Sequence, residues 1–132
     1  MRALLGNSMG KWASLITGGI AGTVARYILA GVVYQLFGTT FPYGTLAVNL
    51  IGCLTIGFLA ALSEEKFLLS PNARILLMVG FCGAFTTFST FMLETANLIK
   101  EGESLRAFAN VALSVVVGFV LFRVGILLAE IL

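Results

Sequence analysis

Between Lys11 and Glu64 the chain carries a single charged residue, Arg26. An uncharged run of that length cannot be one membrane span, because a helix crosses the hydrocarbon core in about 20 residues. It cannot be the interior of a soluble domain either. A soluble chain of 132 residues exposes a large share of its surface and needs polar residues to cover it. Charged residues make up 11% here, against about 25% in a typical soluble domain, and mean hydropathy is +1.04. The run must therefore reverse direction once in lipid. Gly and Pro cluster at Phe37-Gly38-Thr39-Thr40-Phe41-Pro42-Tyr43-Gly44, which places the reversal.

Helix 1 is accordingly expected from about residue 12 to 37 and helix 2 from about 43 to 62. Glu64, Glu65 and Lys66 mark the next loop, which ends in the helix-start signal Ser70-Pro71-Asn72. Helix 3 then covers about 73 to 99, and helix 4 about 107 to 132, after a charged link from Lys100 to Arg106. The expectation is an all-α membrane protein, one domain over residues 1–132, with both termini on the same side. Met1-Arg2-Ala3-Leu4-Leu5 has no hydrophobic core followed by a small-residue cleavage site, so no leader is expected there. Orientation is weakly specified. Arg2, Lys11, Lys66 and Arg74 fall on one side, Lys100 and Arg106 on the other. Such a bias fits insertion in both orientations as well as ordinary one-way insertion. There is no internal repeat, so a symmetric pathway would need association of copies.

Several function classes are excluded. The net charge of +2 is spread out, without the basic patch that nucleic acid binding requires. His is absent, which removes the commonest general base and metal ligand. Cys53 and Cys82 lie in apolar runs at a spacing that matches no zinc or redox motif, and read as buried small hydrophobes. No nucleophile–base pair is in view, and an enzyme is not expected.

Polar residues inside lipid are costly unless they face protein or a wet cavity, so they carry the information. Helix 3 holds the richest segment, Gly80-Phe81-Cys82-Gly83-Ala84-Phe85-Thr86-Thr87-Phe88-Ser89-Thr90-Phe91. Gly, Thr and Ser weaken helix preference, and an interruption is predicted around residues 83–87. A broken helix presents carbonyls to a cation and amides to an anion. Phe88 and Phe91 share a face of the resumed helix, either as core or as ring edges that solvate an anion weakly. Asn49, in mid helix 2, offers two N–H donors to a hard anion or an interhelical hydrogen bond. Asn110, Ser114 and Gly118 form a stripe on helix 4, and Gly18, Gly22 and Arg26 share a face of helix 1. Arg26 cannot be neutralised and must face protein or water, as part of an anion vestibule or bonded to helix-end carbonyls. Glu94, one turn past Phe91, either pairs with a vestibule cation or caps the structure.

These segments resemble the Fluc (CrcB) family of fluoride channels over nearly the whole chain. The resemblance rests on Gly18-Gly19 with Gly22, Arg26-Tyr27, Gly44-Thr45 with Asn49 and Gly52, and above all on the segment from Gly80 to Phe91. Helix 4 is its weakest part. The resemblance implies an antiparallel, dual-topology homodimer in the inner (plasma) membrane, with two pores along the subunit interface. It implies a structural Na+ at the dimer centre on backbone carbonyls of Gly83 and Thr86. It implies that Phe88 and Phe91 line each pore and that Asn49 contacts fluoride. Thr87, Ser89, Thr90, Asn110 and Ser114 are further candidates along the path, with Arg26 and Glu94 at the vestibule. The implied role is passive export of toxic fluoride. Two other classes compete. A small four-helix multidrug or guanidinium exporter would need a buried acid in helix 1, where only Arg26 is charged. A non-transporting scaffold subunit would leave the hydroxyls at 86–90 without a purpose.

Overall fold

The structure is a computed structural model that describes residues 2–132, with side chains from Ser8 onward. The expectation about a leader at the first five residues falls outside those described side chains. The chain is helical throughout, with no strand among the described residues, and four of its helical segments are long and apolar enough to cross a membrane. This is the multi-pass architecture that the uncharged runs require.

Helix α1 covers Arg2–Phe37. Its 36 residues reach about 54 Å, well beyond a hydrocarbon core of about 30 Å. It begins earlier than the sequence suggested because no proline stands before Lys11 to stop it. It ends at Gly38, whose φ of +83° is open to glycine and whose N–H closes on the Tyr34 carbonyl at 2.9 Å. Helix α2 follows at Tyr43–Glu64, directly after Pro42.

The third span, Pro71–Lys100, is two helices in sequence. The first, α3, runs over residues 71–85. Ser70 caps it by accepting the Ala73 N–H at 3.2 Å, and Pro71 occupies the first turn, where a missing N–H costs nothing. Its middle, Ile75–Cys82, is wound wider than an α-helix, and the Gly83 N–H reaches back five residues to Met78. The second, α4, is Phe88–Lys100. Between them only Thr86 and Thr87 are extended, at φ/ψ of −89°/159° and −151°/113°. The predicted interruption is therefore present but narrower. Gly83 itself is helical, at −62°/−35°. Helix α5 spans Ser104–Glu130, with a second widened turn at Leu113–Val117.

Two helix pairs make the scaffold, and glycines set both. On α1, a Cβ at Gly18 or Gly22 would strike the carbonyls of Leu76 and Phe81, while Gly80 on α3 packs back against the Leu15 carbonyl. On the other pair, a Cβ at Gly57 of α2 would strike the Phe122 carbonyl, and one at Gly125 of α5 the Leu54 carbonyl. Backbone-to-backbone contact of this kind is how helices associate in lipid, where no hydrophobic force drives them together. The interior is thin. Val48 and Asn110 are the largest side chains with essentially no exposure. Ile16, Ile20, Val24, Ile28, Val32 and Leu36 instead form an exposed stripe down α1, as expected of a lipid-facing surface.

Gly125→Val should push α2 and α5 apart and destabilise the fold by about 1–3 kcal/mol, as overpacking does. Gly31, where an added methyl would meet nothing within 4 Å, should tolerate alanine. Thermal unfolding in detergent, followed by loss of monodispersity on gel filtration, separates the two outcomes.

Candidate functional site

An extended pair of residues in mid-span leaves backbone groups that lipid cannot satisfy. In a continuous helix the Thr87 N–H would donate to the Gly83 carbonyl. Here it donates to Asn49 Oδ1 at 2.8 Å, and Asn49 Nδ2 donates to the Thr87 carbonyl at 3.0 Å. One amide side chain thus pairs with both polar groups of one residue in the gap. Gly52, one turn along α2, lies so close to the Thr86 methyl that a Cβ there would strike it. Thr86 returns its own hydroxyl to the Cys82 carbonyl at 2.9 Å.

Thr87 also starts α4. Its Oγ1 accepts the Thr90 N–H at 3.3 Å and donates to Thr90 Oγ1 at 3.0 Å. The hydroxyl hydrogen of Thr90 is therefore left over. So is one of the two Nδ2 hydrogens of Asn49, since the other is held by Thr87. Ser89 points outward and is exposed.

Recesses lie on both sides of the break. One of about 600 Å³ opens between α1, α2 and α4, and Arg26, Tyr34, Thr45, Thr87, Thr90 and Glu94 line it. Another of about 360 Å³ is lined by Asn49, Met78, Gly83, Thr86, Thr87 and Phe88. Thr87 belongs to both walls. A third, of about 460 Å³, near the turn after α1, shares Tyr34 and Glu94 with the first and adds Arg106. Tyr34 and Glu94 are thus the boundary between the interior recess and the recess at the membrane surface.

Glu94 has no salt-bridge partner among the described residues. Its Oε1 accepts hydroxyl hydrogen bonds from Tyr34 and Thr45, both at 2.9 Å, and its buried Oε2 has no hydrogen-bond partner among the described residues. Arg26 is half-buried and forms no salt bridge among the described residues. Phe88 and Phe91 touch, with ring centroids 5.7 Å apart and planes tilted by 46°. Their environments differ sharply, with Phe88 73% exposed and Phe91 5%. Asn110 is engaged within the subunit. It donates to Thr95 Oγ1 at 2.9 Å, and Thr95 donates to the Phe91 carbonyl at 2.7 Å. That chain ties α5 to the backbone of the buried phenylalanine. Ser114 Oγ is buried without a partner among the described residues, inside the widened turn of α5.

The break therefore gathers Asn49, Thr86, Thr87, Thr90 and Phe88, with Phe91 and Asn110 joined through Thr95. Arg26 and Glu94 share the larger recess. Tyr34, Thr45 and Thr95 escaped the sequence reading as site residues. Only the pairing Gly44-Thr45 pointed toward one of them. Tyr34, Thr45 and Glu94 sit on three different helices, and no spacing rule relates them.

Comparison with known proteins gives a consistent result. The family model described as CrcB-like protein, Camphor Resistance (CrcB), matches residues 13–126. A protein of Maridesulfovibrio salexigens named fluoride-specific ion channel FluC is 42% identical over 124 residues, covering 94% of this chain and 98% of its own. Proteins of the same name from Chlorobaculum tepidum and Geobacter sp. (strain M21) are 51% and 47% identical, over 86% and 85% of this chain and 89% and 90% of theirs. The match runs through all four spans and across the broken third one, and the chain belongs to the CrcB family.

Proposed function

We propose that this protein is a fluoride-selective channel of the inner membrane, through which fluoride leaves the cytoplasm passively, and that it works as an antiparallel homodimer with two pores. The observation that carries the reading is the Thr86–Thr87 break, held open by Asn49 between two recesses in mid-span. Irregular backbone at membrane depth is tolerated where it lines a cavity. The relatives' shared name supports the choice of ion. The recesses are open on the outside of a single subunit, which supports a path completed by a second copy.

Fluoride is small and accepts hydrogen bonds strongly, so removing its water requires good donors close together. The spare Nδ2 hydrogen of Asn49 and the spare hydroxyl hydrogen of Thr90 are two. Ser114, with its unpartnered hydroxyl, and exposed Ser89 extend the set. The ring edges of Phe88 and Phe91 carry partial positive charge and would solvate the ion between donors without trapping it. Phe91 is fixed by its burial, whereas exposed Phe88 would face the partner copy. Arg26 adds positive potential to the larger recess.

The family also implies a structural sodium. Among the described residues no cluster of His, Cys, Asp or Glu could bind a metal, so a cation at the break would rely on neutral oxygens. Such oxygens are present. The Gly83 carbonyl has lost its helical donor to Asn49, Thr86 is extended, and both residues line the smaller recess. Hard cations take oxygen ligands of this kind. In this proposal Gly83 and Thr86 of both copies hold Na+ by their carbonyls, and the ion supplies fixed positive charge near both pores.

Purified protein in liposomes should release loaded fluoride and retain chloride. Equal release of both ions would remove the selectivity claim. Phe91→Ile should lower fluoride flux by at least about tenfold, through loss of the ring edge, in a dimer that still elutes normally. Asn49→Asp removes the donor to the Thr87 carbonyl and places a like charge beside the ion. It should lower both flux and melting temperature, the latter reflecting about 1–3 kcal/mol from a carboxylate oxygen left facing the Thr87 carbonyl with no donor between them. Thr86→Ala loses a hydroxyl bonded back to Cys82 and the methyl seated against Gly52 but keeps the backbone carbonyl, and should keep flux within about twofold.

A further inference from the structure

At the membrane face where α1 enters and α3 begins, and sharing Met78 with the smaller recess at the break, lies a recess of about 370 Å³. Lys11, Pro71, Arg74, Ile75, Met78 and Val79 line it. The lining changes character with depth. Lys11 and Arg74 are exposed and stand at the start of their spans. Ile75, Met78 and Val79 follow along α3, so Met78 lies about 6 Å further in than Arg74. Val79 is 61% exposed, so the recess is open at its side in the single subunit. The two helices are held close at this end, since a methyl on Gly10 would sit 3.3 Å from the Asn72 side-chain nitrogen.

Neither cation has a salt-bridge partner among the described residues. The salt bridge present among the described residues, Arg106 to Glu103, lies in the first turn of α5. The two therefore face an open trough that is charged at its mouth and apolar inside, at the depth where lipid headgroups meet acyl chains. Lys11 also precedes the segment matched by the family model.

We propose that this recess binds one anionic phospholipid, with the phosphate between Lys11 and Arg74 and an acyl chain along Ile75, Met78 and Val79. Arg74 suits the phosphate oxygens as a fork and Lys11 as a point charge. A free phosphate would use the cations and leave the trough bare, whereas a phospholipid uses both. The exposed rim and the lateral opening match a ligand that arrives from within the bilayer.

The single tryptophan, Trp12, is next to Lys11 and 61% exposed, so it reports on lipids at this site. The full-length protein is reconstituted in phosphatidylcholine vesicles containing either brominated phosphatidylglycerol or brominated phosphatidylcholine at equal mole fraction, and quenching of Trp12 fluorescence is measured. The anionic lipid should be enriched around Trp12, by roughly fivefold for each engaged cation, and the enrichment should shrink as salt rises. Lys11→Gln combined with Arg74→Gln should abolish it while fluoride efflux, which uses neither residue, continues and reports a folded protein. The single variants should each lose part of it. Equal quenching by the two lipids in the unmodified protein would overturn the proposal. So would enrichment that survives in the double variant. Loss of enrichment on adding inorganic phosphate at constant ionic strength would reassign the site to a free anion.

Discussion

The double hydrogen bond between the Asn49 side chain and the Thr87 backbone is the interaction on which the remaining architecture depends. A helix can stop in water because water takes over its orphan groups. In the bilayer each unsatisfied group costs several kcal/mol. An amide side chain has the same donor and acceptor pair as the peptide group it faces, so one asparagine takes up the freed Thr87 N–H and adds a second hydrogen bond at the Thr87 carbonyl. With the clamp in place, α3 can end at Phe85 and α4 can start at Phe88 with the N–H of Thr87 paired and that of Thr90 capped. Without it the chain would be driven toward a continuous helix, and the carbonyl of Gly83 would be covered again.

The clamp requires α2 and α3 at close range, and the glycines supply that. Gly52 admits the Thr86 methyl beside Asn49, and the α1–α3 and α2–α5 pairs approach until backbone meets backbone. The widened turns in α3 and α5 have a related consequence. The one in α3 shifts the register of the residues that follow it, where Thr86 and Thr87 emerge opposite Asn49, and Ser114 lies buried inside the one in α5. The polar cluster is thus held by contacts that are themselves apolar and tight. A membrane protein with so thin an interior has few other means of fixing a side chain to within a few tenths of an ångström.

The candidate site was legible where a residue's chemistry was out of place for its surroundings. Asn49, Arg26, Glu94 and the hydroxyls of 86–90 stood out because lipid makes every polar residue conspicuous. Their partners did not. Tyr34 and Thr45 look ordinary near the end of one span and the start of the next, yet both hydroxyls converge on Glu94. Asn110 was read as part of a polar track, and its bond to Thr95 shows it also joining two helices. Phe88 and Phe91 were correctly placed on one face, but helical spacing carries no information about which of the two other helices will cover.

The sequence by itself determined the membrane setting, the number of spans, the reversal at Gly38 to Pro42 and the presence of a break in the third span. Hydropathy, helix preference and turn chemistry act over a few residues, and those features are written in local composition. The tertiary structure alone decided that the break narrows to Thr86 and Thr87, that Asn49 closes it, that Glu94 gathers two hydroxyls, and that Phe91 is buried while Phe88 is not. Each of these joins groups far apart in the chain, 38 residues for the clamp and 60 for Tyr34 with Glu94. Which distant groups meet is set by how closely glycine-lined backbones pack and by how the widened turns rotate the helices. Neither quantity has a local signature in the order of residues.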